Sequence, residues 1–154
     1  MLTLTRTDSE NPDFVNLVKN LDADLAERDG ADHSFYSQFN KIDKIKHAVV
    51  AYLDNLPVGC GAMKEFTSSA MEIKRMYTAV QGRGQGIATA VLTELENWAA
   101  ELSYELCVLE TGKRQPEAIA LYEKNRYRHI SNYGQYIGIE NSVCFEKELK
   151  NSVK

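Results

Sequence analysis

Gln81–Ala88 reads QGRGQGIA, with glycine at 82, 84 and 86. A strand-like run precedes it and a long amphipathic stretch follows, so the glycines sit where a helix begins. A helix N-terminus offers unpaired N–H groups and about half a positive charge, which suits an anion and above all a phosphate. Glycine removes side chains that would hold a phosphate off the backbone and permits positive φ where the chain turns. Arg83 can add a charged contact. Two phosphate motifs are excluded by spacing. The dinucleotide fingerprint needs glycine at 87, where isoleucine stands, and a P-loop needs Gly-Lys-Ser/Thr where Gly86-Ile87-Ala88 stands. On local grounds the alternative is a flexible turn into a helix, but such a turn needs only one of the three glycines.

Other reactive side chains form no comparable constellation. Cys60, Cys107 and Cys144 are far apart, lie in apolar runs and lack CxxC spacing, so buried core thiols are expected rather than a disulfide framework or a zinc site. His33, His47 and His129 do not make a metal constellation, and polar or surface positions are expected for them. No metal is expected.

Around the loop, Leu2–Arg6 reads as a strand, and Pro12 opens a helix with Phe14, Leu17, Val18, Leu21 and Leu25 at helical spacing, ending near Gly30. A short helix is expected over Ser34–Asn40. Ala48–Leu53 and Pro57–Met63 flank the turn pair Asp54-Asn55 and predict a hairpin, in which Gly59 and Gly61 permit a bulge or a close neighbour. Met71–Thr78 is the next strand, with Glu72, Lys74, Met76 and Thr78 on one face and Ile73, Arg75 and Tyr77 on the other. Ile87, Val91, Leu92, Leu95, Trp98 and Leu102 make a helical stripe. Glu105–Glu110 suits a central strand, a helix starts at Pro116, and Tyr133–Ile139 and Val143–Leu149 are read as closing strands. The order predicts an α+β domain with a mixed sheet, a single domain over residues 1–150.

The loop satisfies the pattern of Gln or Arg, two residues, Gly, one residue, then Gly or Ala, twice over: from Gln81 to Gly86 and from Arg83 to Ala88. In this it resembles the GNAT (Gcn5-related) N-acetyltransferases. Met71-Glu72-Ile73-Lys74-Arg75-Met76-Tyr77 resembles the family's fourth strand, and Ala118-Ile119-Ala120-Leu121-Tyr122-Glu123-Lys124-Asn125 its later AxxLYEK helix. The resemblance implies a mostly antiparallel sheet splayed between its fourth and fifth strands and flanked by helices. It also implies acetyl-CoA as co-substrate, its pyrophosphate on the amides of Gln81, Gly82, Arg83, Gly84, Gln85, Gly86, Ile87, Ala88 and Thr89. Pantetheine would pair along Met76, Tyr77 and Thr78, with the Met76 amide near the thioester oxygen.

Tyr122 is the implied general acid, since a phenol has a reference pKa of about 10, within reach of a departing thiol. Glu72, four residues before Met76, is the implied general base; water chains serve in many members. Two departures stand out. Gln115 replaces the family's frequent Asn and can still reach CoA, and Arg126-Tyr127 replaces Gly-Phe after the helix, where glycine would suit a left-handed cap. The acidic stretch Asp22–Asp24, Asp29 and Asp32 belongs to the early helices that flank the acceptor in relatives, and could draw in a cationic amine or simply be a solvated face.

The chain has 154 residues and a net charge of −4, which gives no general attraction for nucleic acid. No apolar run approaches the roughly 18 residues needed to cross a bilayer, and the first residues lack a secretory pattern, so a cytoplasmic protein with no membrane partner is expected. The expected activity is acetyl transfer to a primary amine of a small molecule by direct attack in a ternary complex. A protein or peptide amine, or a non-catalytic acyl-CoA sensor, is the alternative, and a homodimer is left open.

Overall fold

The structure, a computed structural model, describes residues 1–29 and 45–149. The helix expected over Ser34–Asn40, with His33 and Asp32, lies outside the described residues. Among the described residues seven strands follow the order β1-β2-β3-β4-β5-β7-β6, with β1–β2, β2–β3, β5–β7 and β6–β7 antiparallel and β4–β5 parallel, and there are three α-helices. The described residues group into two compact units: Met1–Lys64 with Lys74–Leu95, and Glu65–Ile73 with the residues from Glu96 onward.

In the first unit β1 (Leu2–Thr7) pairs antiparallel with β2 (His47–Leu53), which pairs antiparallel with β3 (Leu56–Thr67). The β2–β3 turn places Asp54 and Asn55 at φ of 50° and 72°, the left-handed pair that a two-residue hairpin requires and that these residue types tolerate. Helix α1 (Pro12–Asp29) begins with Asn11, whose Oδ1 accepts hydrogen bonds from the Asp13 and Phe14 amides at 2.8 and 3.2 Å. Its apolar face buries Phe14, Leu17 and Val18 against Ala48, Val50, Cys60 and Ala62.

Helix α2 (Ile87–Glu101) lies close against β3 because β3 carries no side chain at two positions. A Cβ at Gly61 would lie 2.6 Å from Met76 Sδ and 2.9 Å from both Leu95 Cδ1 and Val91 Cγ1. One at Gly59 would lie 2.7 Å from Ile87 Cγ2 and 3.2 Å from the Tyr77 carbonyl oxygen. The close approach expected of these glycines is what they provide.

The strand β4 (Ala70–Thr78) begins in the second unit, where Ala70–Ile73 pair with β5 (Leu106–Gly112) from Ala70↔Leu106 to Ile73↔Leu109, and its remaining residues belong to the first unit. Both strands run on beyond that ladder, which is the splay implied by the resemblance. β5 pairs antiparallel with β7 (Ser142–Glu148), and β7 with the short edge strand β6 (Arg128–Ile130). The strand expected over Tyr133–Ile139 is not one: Gly134–Tyr136 forms a 3-10 turn. Gly134 and Gly138 adopt φ of 53° and 81°, which no extended strand contains, and Asn132 Nδ2 donates to the Tyr136 and Ile139 carbonyls at 3.1 and 3.0 Å. The tyrosines and isoleucines of this stretch have strand propensity, but the local hydrogen bonds win.

Helix α3 (Pro116–Lys124) ends in a Schellman motif. The Tyr127 amide donates to the Tyr122 carbonyl at 3.0 Å and the Arg126 amide to the Glu123 carbonyl at 3.1 Å, while the Tyr122 and Tyr127 rings meet with centroids 5.8 Å apart. Arg126 takes the left-handed position at φ 72°, so the cap that glycine would suit forms without it. A side chain there costs about 1 kcal/mol, partly balanced by the greater freedom of glycine in the unfolded chain. Arg126→Gly is therefore expected to leave the fold unchanged and to raise stability by up to about 1 kcal/mol, read as a higher urea midpoint at constant slope.

Candidate functional site

In the first unit, β4 and the loop after it carry the residues expected to hold the donor. Regular alternation along β4 is interrupted at Arg75, which has φ of 61°. A left-handed arginine inside a strand is strained by about 1–2 kcal/mol and turns the next amide, that of Met76, out of the regular strand direction. The Arg75 guanidinium is buried and donates to Asp22 Oδ1 of α1 at 3.4 Å, and the Arg75 carbonyl accepts the Cys60 thiol at 3.4 Å. Asp22 of the acidic stretch thus meets a buried cation of its own chain.

After Thr78 the chain makes a 3-10 turn over Val80–Gly82, and Arg83 Nε reaches back to the Thr78 carbonyl at 3.0 Å. Gln85 Nε2 donates to the Gln81 carbonyl at 3.2 Å. The three glycines divide the work. Gly82 is buried, and a Cβ there would lie 3.0 Å from both Ile87 Cδ1 and Val58 Cβ, so it serves packing. Gly84 and Gly86 have φ of 80° and 76°, and a Cβ on either would meet nothing within 4 Å, so the space above them is open. The first α2 hydrogen bond runs from the Ala90 amide to the Gly86 carbonyl at 3.0 Å. The amides of Ile87, Ala88 and Thr89 therefore form the first turn, the anion-attracting end of the helix.

The second unit brings together the groups that can handle protons. Glu72 is buried on β4, and its Oε2 accepts a hydrogen bond from the Tyr133 hydroxyl at 2.7 Å. Tyr133 packs against Phe66, ring centroids 4.8 Å apart, and against Tyr136 at 5.8 Å. On β5, Glu110 Oε2 accepts from Ser142 Oγ at 2.7 Å. Tyr122 is buried on α3, its ring 5.8 Å from those of Tyr127 and Phe145. Burial, and then the Glu110 charge, push the Tyr122 phenol well above its usual range. Burial and the Glu72 carboxylate do the same to Tyr133, and burial with Glu110 and Glu72 to Tyr136. Gln115 precedes α3 with its backbone carbonyl accepting from the Ala118 and Ile119 amides, both at 3.1 Å, while its side chain makes no cap bond.

Tyr133, Tyr136, Glu110 and Ser142 did not stand out in the sequence, because reading 133–139 as a strand hid the turn that delivers the two tyrosines. The signal available was Gly134 and Gly138 on either side of Tyr136. The three cysteines are buried as expected, and burial pushes Cys60 and Cys107 up to about 12 and Cys144 to about 11, far from a thiolate nucleophile. His129 is exposed and meets Glu123 Oε2 at 2.7 Å. Among the described residues no group of His, Cys, Asp and Glu could hold a metal, and no helix is long and apolar enough to cross a membrane.

The family model of the acetyltransferase (GNAT) family matches residues 13–126. An IAA acetyltransferase of Azospirillum brasilense is 29% identical over 150 residues, which is 96% of this chain and 98% of that protein. A Klebsiella pneumoniae structure named as an acyl-CoA N-acyltransferase superposes with a TM-score of 0.82 at 28% identity, covering 97% of this chain and 99% of that one. A GNAT acetyltransferase of Elizabethkingia anophelis, solved with acetyl-CoA bound, shares the fold with a TM-score of 0.70 at 17% identity, over 96% and 98% of the two chains.

The buried phenols make a pH dependence. Tyr122, Tyr127 and Tyr136 are all raised above the unfolded value near 10, so they stay neutral in the folded protein while the unfolded chain ionises. Their contribution is fully present below about pH 10 and is lost as pH rises above it, at about 1.4 kcal/mol per pH unit for each phenol. The three buried thiols are raised in the same way, so urea midpoints are expected to begin falling above about pH 8.5 and to fall more steeply past about pH 10; a midpoint level to pH 11 would contradict the burial of these side chains.

Proposed function

Because the chain belongs to the GNAT acetyltransferase family, an acetyl-CoA-dependent N-acetyltransferase family, we propose that residues 1–150 act as one domain that acetylates a primary amine of a small molecule by direct attack in a ternary complex. The observation that carries the reading is the pair of left-handed glycines, Gly84 and Gly86, with open space above them at the first turn of α2. That is a cradle which any Cβ would begin to fill, and it fits a pyrophosphate.

Acetyl-CoA, when bound, supplies a thioester whose carbonyl carbon accepts the amine. In this reading the amides from Gln81 to Thr89 hold the pyrophosphate, the backbone of Met76, Tyr77 and Thr78 holds the pantetheine arm, and the Gln115 amide adds a polar contact to CoA. β4 supports that role because its ladder with β5 ends at Ile73 while the strand runs on to Thr78. The Met76 amide, following left-handed Arg75, is the donor to the thioester oxygen.

Glu72 takes the proton that an ammonium must lose before its nitrogen can attack. As the C–N bond forms and the C–S bond breaks, the nitrogen sheds its second excess proton and the leaving sulfur gains one, so that one proton is released overall. Tyr122 serves the sulfur. Its raised pKa keeps the phenol protonated across the neutral range and also makes it a weak acid. It therefore starts as a hydrogen-bond donor and gives up its proton only as negative charge builds on sulfur.

The test is CoA release, followed with a thiol reagent, across polyamines, amino acids, aminoglycosides and peptides, with IAA added from the name of the Azospirillum brasilense relative. Turnover of a small amine is expected. Turnover confined to peptides would move the reading to a protein acceptor, and CoA binding with no turnover on any amine would favour a sensor. With the fastest amine, Glu72→Gln is expected to lower kcat/KM by about a hundredfold or more and to alter the pH–rate profile. Tyr122→Phe is expected to lower kcat by about tenfold or more while leaving acetyl-CoA affinity unchanged, by calorimetry.

A further inference from the structure

Resting on Glu72 as the base, we propose that Tyr133 is its positioning residue, the hydroxyl that donates to the Glu72 carboxylate and holds it turned to receive the proton of the acceptor amine. The bond from Tyr133 to Glu72 Oε2 is 2.7 Å, a charge-assisted length, and it joins residues 61 apart in the chain. Its geometry is built. Tyr133 ends a segment whose closure is fixed by Asn132 Nδ2 bonding the Tyr136 and Ile139 carbonyls, by the Tyr136 amide on the Tyr133 carbonyl at 2.9 Å, and by the Ser142 amide on the Ile139 carbonyl at 3.1 Å. Phe66 and Tyr136 pack against the ring and leave it little rotational choice.

Among the titratable groups that act on Glu72 or on its donor are Tyr136, Cys144 of β7 and, through both of these, Glu110 of β5. Burial and the Glu72 carboxylate itself keep the Tyr133 phenol protonated, so the donor is not lost as pH rises through the range of the reaction.

Tyr133→Phe keeps the ring and its packing and removes only the hydroxyl. Carboxyl-carbon NMR of protein labelled with [5-13C]glutamate, with Glu72→Gln to assign the resonance, reads the result without any acceptor. A donor to a carboxylate favours its ionised form, so the Glu72 resonance in Tyr133→Phe is expected to titrate at higher pH, by about one unit. The acid limb of kcat/KM for the fastest panel amine is expected to move the same way, while acetyl-CoA affinity by calorimetry stays unchanged. Asn132→Ala, which loosens the segment but retains the hydroxyl, is expected to shift both in the same direction and by less. An unmoved resonance and an unmoved limb in Tyr133→Phe overturn the proposal even if kcat falls, since a packing role alone would give that. If Glu72→Gln itself leaves rate and profile unchanged, the base reading fails and this inference fails with it; a sensitive Glu72→Gln beside an inert Tyr133→Phe sinks this inference alone.

Discussion

A parallel pair of neighbouring strands cannot be closed by a tight turn, and much of this molecule follows from that constraint. β4 and β5 are parallel, so the chain must leave β4, cross back along its length and re-enter beside it, which takes a dozen or more residues and usually a helix. The crossover here is the glycine turn and α2. A helix used in this way begins near the C-terminal end of the strand it leaves, so its first amides follow directly on the part of β4 that outruns the β5 ladder. The anion-attracting helix end and the exposed strand backbone are thus products of one connection.

The same strand explains how the proposed base and the proposed donor-binding backbone come from one short stretch of sequence. Glu72 lies in the paired part of β4, Met76 in the part beyond it, and left-handed Arg75 separates them. A change of backbone direction within four residues lets a buried carboxylate and a re-aimed amide belong to one strand while serving different partners. Glu72 and Glu110 each accept a hydrogen bond from a neutral hydroxyl, of Tyr133 and Ser142. For the buried Glu72 carboxylate such a bond supplies a partner where water has little access.

Most of the framework was legible in the sequence because it is local. The helical stripe from Ile87, the unbroken apolar run of β5, Pro116 at the head of α3 and the Asp54-Asn55 turn each state their structure within a few residues. Four things were not legible, for distinct reasons. The segment 133–139 has strand-forming residue types, yet the side chain of Asn132 and two left-handed glycines outweigh them. The bond between Tyr133 and Glu72 depends on tertiary closure across 61 residues. At Arg126 the side chain suggested a disturbed turn, but two cap hydrogen bonds and the Tyr122–Tyr127 contact override the preference of one residue. Nor could spacing distinguish Gly82, buried against Val58, from Gly84 and Gly86, which face open space.

Gly59 and Gly61 carry a consequence of another kind. They set the clearance between β3 and α2, and Ile87 and Val91, which press on them, lie in the first two turns of that helix. The height at which the proposed phosphate cradle stands is therefore gauged by two positions more than twenty residues upstream that lie outside the loop. A methyl group at either would act as a shim under the helix, lifting the cradle relative to β4 without altering a single residue of the loop. The tolerance of the proposed donor site is machined into the strand beneath it.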